Sequence, residues 1–80
     1  MKAYNLIEQY GWLQRAYGNK QTGFCMMGAL YEVYPYAEAC KYRAMIEKRT
    51  RCRAAIWNDR IRRTKQQVIT LLKKVEGVAR

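Results

Sequence analysis

"AIWNDRIRRTKQQVITLL", Ala55 to Leu72, is the stretch on which the fold turns. Its second half reads as a helix with a defined start. Thr64-Lys65-Gln66-Gln67 has the form of a capping box: the threonine hydroxyl accepts from a first-turn backbone N–H, and Gln67 reaches back to the N–H of Thr64. Val68, Leu71, Leu72 and Val75 then recur at i, i+3, i+4 and i+7, the stripe of a helix packed on one side, and Gly77 stands where it ends. The first half closes on Trp57-Asn58-Asp59 and reads as a short helix running into a corner. Asn58 and Asp59 accept turn hydrogen bonds readily, and Asp59 lies within reach of Arg62 or Arg63 as a local counter-ion. The plain reading of Trp57 is a core residue that locks this corner between the last two helices.

Outward from the corner, helical spacing continues toward the N-terminus. Tyr36 to about Arg49 forms a helix with Ala39, Tyr42 and Ile46 as its main apolar stripe. Arg43 and Glu47, four apart, are placed to pair along its surface. Thr50 caps a short helix from Arg51 to about Trp57, or else a single bent helix crosses this point; the spacing leaves both open. Pro35 ends a preceding helix that runs from Gly23 to about Tyr34, with Thr22 as its cap. Gly28 inside that helix costs about 1 kcal/mol relative to alanine, which calls for another element pressing close against it. Ala3, Leu6, Ile7 and Tyr10 mark a first helix, closed by Gly11. Between Trp12 and Gly23 the glycines and polar residues read as a loop, with a short irregular hairpin as its ordered alternative. The expectation is one all-α domain over residues 1–80, four or five short helices around a single small core.

Charge is distributed unevenly. The chain of 80 residues carries a formal charge of +10. Residues 1–40 are balanced, whereas residues 41–65 hold ten Lys and Arg against Glu47 and Asp59 alone, a net +8. Such a concentration repels itself and attracts polyanions or acidic surfaces. The expected contact residues are Lys41, Lys48, Arg49, Arg51, Arg53, Arg60, Arg62, Arg63 and Lys65. Arginine forks suit phosphates and carboxylates. Trp57, Asn58, Asp59 and Thr64 are expected to form the structural corner beneath them.

Other chemistries find little support. There is no histidine, and the three cysteines, Cys25, Cys40 and Cys52, form no close pair. Neither a zinc-finger spacing nor a disulfide framework is present, so free thiols in a reducing cytoplasm are expected. No nucleophile has an evident base, no glycine-rich phosphate cradle appears, and no cofactor, metal or enzymatic activity is expected. No signal peptide is expected at the N-terminus, and the longest apolar run, "GFCMMGALY", is about half a membrane span. A helix-turn-helix lies within reach, with Gln66, Gln67, Thr70, Lys73 and Lys74 on its second helix. Its turn lacks a glycine, however, and such residues are ordinary helix surface. Tyr31, Tyr34, Tyr36 and Tyr42 carry rings that stack on unpaired bases in other proteins; at helical spacing their plain reading is half-buried core.

Gly11-Trp12 with Gln14, then Cys25-Met26-Met27-Gly28-Ala29-Leu30, then Trp57-Asn58-Asp59, Arg63-Thr64 and Val68-x-x-Leu71-Leu72 make an ordered pattern. It resembles that of a small bacterial and phage family of unknown function. The resemblance spans Gly11 to Leu72. The chain departs from the pattern in three places: Arg15 where a glycine is usual, Ile61-Arg62 in place of Pro-Gly, and Gln67 in place of a glutamate. The departures add positive charge or remove negative charge. The resemblance implies that Trp57, Asn58, Asp59, Arg63 and Thr64 act as a unit, and brings no catalytic residue. It also raises a second class of function beside nucleic-acid binding: an accessory protein or inhibitor that meets an acidic protein surface or a nucleic-acid-processing host complex, in the host cytoplasm if phage-encoded.

Overall fold

In the computed structural model, which describes residues 1–78, the chain runs through α1 (Ala3–Tyr10), β1 (Gly18–Asn19), β2 (Gly23–Phe24), α2 (Met26–Val33), α3 (Tyr36–Thr50), α4 (Ala54–Asp59) and α5 (Lys65–Val75). The fold is all-α around one core, with a single two-stranded hairpin added. The apolar α2 lies at its centre, with Met26, Met27, Ala29 and Leu30 buried. It packs on α1, α3 and α4, and α5 closes the other side against α1 and α3. Ile7, Leu30, Ile46, Val68 and Leu72 are fully buried. Each contributes about 1.5–3 kcal/mol relative to exposure. Among the described residues no helix is long and apolar enough to cross a membrane.

Helix α5 begins and ends as its sequence requires. Thr64 Oγ1 accepts from Gln67 N at 3.2 Å, and Gln67 Oε1 accepts from Thr64 N at 3.1 Å. At the other end Gly77 takes φ 80°. Its N–H reaches Lys74 O, and Val78 N donates to Lys73 O at 2.8 Å. This is the Schellman closure, and its left-handed residue suits glycine.

The segment before α2 folds as the hairpin and shortens the expected helix. Gly23 and Phe24 belong to β2, paired with Asn19 and Gly18. Thr22 therefore does not cap α2; it sits in the hairpin turn, where its N–H donates to Asn19 Oδ1 at 3.0 Å. The cap of α2 is Cys25, whose Sγ accepts from Gly28 N at 3.1 Å. Trp12 and Leu13 extend alongside, Leu13 N donating to Phe24 O at 3.1 Å. The element pressing on Gly28 is this same loop. A Cβ on Gly28 would stand 2.0 Å from Tyr17 O, so no other residue fits without moving backbone.

The link between α3 and α4 also differs from expectation. Thr50 is the last residue of α3, not a cap for α4, and its Oγ1 donates to Ile46 O at 2.9 Å. Arg51 terminates α3 in the left-handed conformation at φ 56°. Glu47 does not pair with Arg43; its Oε2 accepts from Ala54 N at 2.9 Å and so serves the start of α4. A helix start leaves several N–H groups without intrahelical partners, and a carboxylate both satisfies them and complements the dipole.

The most distant of these carboxylate caps joins the two ends of the chain. Glu76, buried at the end of α5, accepts from Ala3 N at 2.8 Å and Tyr4 N at 3.1 Å, the first turn of α1. Tyr34 OH donates to the same carboxylate. Burial, the hydrogen bond and the charge of Glu76 all push the Tyr34 phenol upward from its ordinary 10.0.

Candidate functional site

The corner after α4 is held from behind by one buried side chain. Asn58 is 1% exposed. Its Oδ1 accepts from Trp12 Nε1 at 2.8 Å and from Met26 N, the first residue of α2, at 3.1 Å. Its Nδ2 donates to Leu13 O at 3.1 Å and to Asp59 Oδ1 at 3.0 Å. Gln14 Nε2 adds two donations across the corner, to Asn58 O at 3.0 Å and Arg60 O at 2.9 Å. Asn58 thus ties the N-terminal loop, the start of α2 and the end of α4 together. Asp59 is not the counter-ion of Arg62 or Arg63; its Oδ1 accepts from Arg15 N at 2.9 Å.

Beyond Asp59 a tight turn, closed by Arg63 N donating to Arg60 O at 3.0 Å, carries Ile61 and Arg62 at its tip. Ile61 is 90% exposed. Arg63 then folds back. Its guanidinium carbon lies 3.7 Å from the centre of the Trp57 ring, and its Nε donates to Trp57 O at 2.9 Å. Trp57 is half-buried rather than fully enclosed, with the planar cation covering one face. Such stacking suits arginine and not lysine. Arg63 therefore belongs chiefly to the corner, and only in part to the contact surface for which it was expected.

A cleft of about 680 Å³ opens between the end of α3 and α5, floored by Trp57 and Arg63. Arg49 borders it from α3; Gln66, Gln67, Thr70 and Lys74 border it from α5. Lys73 points elsewhere, lying over the Tyr4 ring and 3.9 Å from Glu8. The face expected of a recognition helix is therefore divided. Outside the cleft lining, Arg51 ends α3, Arg53 precedes α4, and Lys65 opens α5, all exposed. Arg60 is exposed too, with Nη2 4.0 Å from Cys52 Sγ beside the α3–α4 link. Lys41 and Lys48, seven residues apart, share an exposed face of α3 and do not line the cleft.

The electrostatic character follows from where the acids go. Glu47 and Asp59, the acids within residues 41–65, both accept from backbone N–H groups. Among the described residues the one ion pair joins Lys73 to Glu8, outside this region. The cations of residues 41–65 have no side-chain carboxylate partners in ion-pair geometry, and Arg63 alone among them is held by a carbonyl.

Several residues of the site were not among the expected contacts. Lys74 and Gln66, named only for the helix-turn-helix reading, border the cleft from α5, while Trp12, Gln14 and Arg15 build the corner from the N-terminal loop. Arg15 holds φ 69°, the left-handed region that favours glycine. A tryptophan and glutamine set among loop residues were the available signal; their partners, some 44 to 46 residues away, were not.

Residues 1–77 match the model of a family of unknown function, DUF6197, and the chain belongs to that family. No curated protein and no solved structure matches it.

Proposed function

We propose that this member of a family of unknown function is a non-enzymatic nucleic-acid-binding module, gripping phosphates with the cationic surface around the Trp57–Arg63 corner. One observation carries the reading: Glu47 and Asp59 are engaged by backbone N–H groups and not by ion pairs, so the region keeps its net +8 with nine of its ten cations exposed to solvent. Arg49, Arg51, Arg53, Arg60, Arg62, Lys65 and Lys74 supply phosphate contacts, and the Arg63–Trp57 stack keeps the surface rigid. Free cysteines at positions 25, 40 and 52 fit a reducing cytoplasm as the place of action.

Fluorescence anisotropy with a labelled oligonucleotide tests this. Between about 50 and about 200 mM salt, log K should fall against log salt with a slope of about −6 on a duplex. Replacing Arg49, Arg60 and Arg62 together with glutamine should flatten that slope by about 2 to 3, with the melting temperature preserved. Absence of binding at the lowest salt defeats the proposal.

A second reading draws on Ile61, exposed at the turn tip near exposed Ile56 and between Arg60 and Arg62. An apolar tip flanked by arginines suits an acidic protein surface with an apolar pocket, as an accessory protein or inhibitor would require. Replacing Ile61 with serine should then abolish capture of a single acidic partner while leaving nucleic-acid affinity unchanged.

A further inference from the structure

The seven tyrosines do not share one environment. Tyr34 and Tyr42 turn toward each other with centroids 4.7 Å apart, and Tyr34 is anchored on Glu76. Tyr17, Tyr31 and Tyr36 instead meet at the surface, brought from the loop before β1, from α2 and from the start of α3. Tyr31 and Tyr36 lie nearly parallel, 9° apart with centroids at 5.8 Å, and Tyr17 stands edge-on to Tyr31 at 5.7 Å. Tyr17 is 65% and Tyr36 71% exposed. Rings this open recover little burial, yet here both meet Tyr31, one edge-on and one in parallel.

Arginines line the hollows beside them. Arg43, one heptad beyond Tyr36, lines the same hollow of about 520 Å³. Tyr17 also borders a second hollow of about 480 Å³, whose rim includes Arg15. Arg15 keeps a left-handed backbone that is costly for any residue with a Cβ, and its N–H is fastened to Asp59. From Tyr36, α3 runs about 20 Å to Arg49 at the cleft, a distance a few nucleotides span.

We infer that Tyr17 and Tyr36, backed by Tyr31 and flanked by Arg15 and Arg43, form a platform on which unpaired bases of a single-stranded nucleic acid stack. The inference rests on the phosphate-binding reading above and names its substrate class. An aromatic face accepts any base, and arginine beside it meets the adjoining phosphate, so binding is tolerant of sequence. A duplex hides the base faces and reaches only the cationic contacts.

Anisotropy titrations with a labelled oligothymidine and with a duplex of equal phosphate number, at one salt concentration, decide the matter. The single strand should bind at least about tenfold more tightly. The Tyr17→Ala, Tyr36→Ala double variant should lose about that factor on the single strand and nothing on the duplex. Tyr17→Phe with Tyr36→Phe should restore single-strand affinity, since the ring and not the hydroxyl does the stacking. Far-UV circular dichroism of each variant establishes that it is folded. Salt-steep binding that is indifferent to the tyrosines, or a preference for duplex, overturns the platform and leaves the phosphate reading standing. No binding of either form at low salt overturns both.

Discussion

Asn58 shows how much one side chain carries in a chain of this size. Its amide is buried, and it serves two donors and two acceptors drawn from three parts of the fold. Replacing it with alanine leaves Trp12 Nε1 and Met26 N–H without their acceptor, and an unsatisfied buried donor costs about 1–3 kcal/mol. Asn58→Ala should destabilise the domain by about 2–4 kcal/mol and lower its melting temperature by at least about 10 °C. Thermal melts followed by far-UV circular dichroism check this; a loss of under about 0.5 kcal/mol would mean that water replaces the amide. The sequence marks Asn58 as a turn residue and stops there. An asparagine before an aspartate announces hydrogen bonding, but not that the bonds reach Trp12 and Met26.

At the scale of elements, carboxylates at helix starts join parts that local sequence leaves separate. Glu47 opens α4 and Glu76 opens α1, each from another helix or its end. Glu76→Ala should cost about 2 kcal/mol by releasing the first turn of α1 and the Tyr34 hydroxyl. It should also raise hydrogen exchange at Tyr4 and Leu6. Tyr34 gives the same junction a pH signature. Its folded phenol is held above 10.0, so the folded state retains a proton that the unfolded chain releases at alkaline pH. The associated stability is complete below pH 10.0 and is lost progressively as pH rises above it. Tyr34→Phe should therefore flatten the decline in unfolding free energy on the alkaline side; an unchanged alkaline limb would show that Tyr34 does not titrate with folding. Burial likewise pushes the Cys25 thiol up, consistent with a cap that accepts a backbone N–H rather than a reactive nucleophile.

Over the whole molecule, charge sets both stability and partners. Cations with few carboxylates in ion-pair reach repel one another in the folded state more than in the expanded chain. Added salt should therefore stabilise this protein. Raising sodium chloride from about 0.01 M to about 0.5 M shortens the screening length from about 30 Å to about 4 Å and should raise the melting temperature by several degrees. A flat or falling curve would indicate that the cations are paired after all. The same screening should weaken nucleic-acid binding, so stability and affinity should move in opposite directions along one salt axis.

How much of this was legible beforehand depends on the range of each interaction. Helix α5, with its capping box, apolar stripe and terminal glycine, was complete in the sequence because every group that defines it lies within one helical turn of its partner. The all-α core of four or five helices and the lopsided charge were legible for a related reason: periodicity and composition need no knowledge of contacts. The start of α2 was misread because Thr22 is as good a cap as Cys25 in local terms; the loop pressing on Gly28 and the pairing of Gly23 with Asn19 decided between them. Arg63 looked like one more free cation until Trp57 was beside it. Glu47 and Asp59 looked like counter-ions until backbone N–H groups elsewhere in the chain claimed them. Only the tertiary structure could assign those acids, because a carboxylate goes to the donor that packing leaves without water, and packing joins residues far apart in the chain.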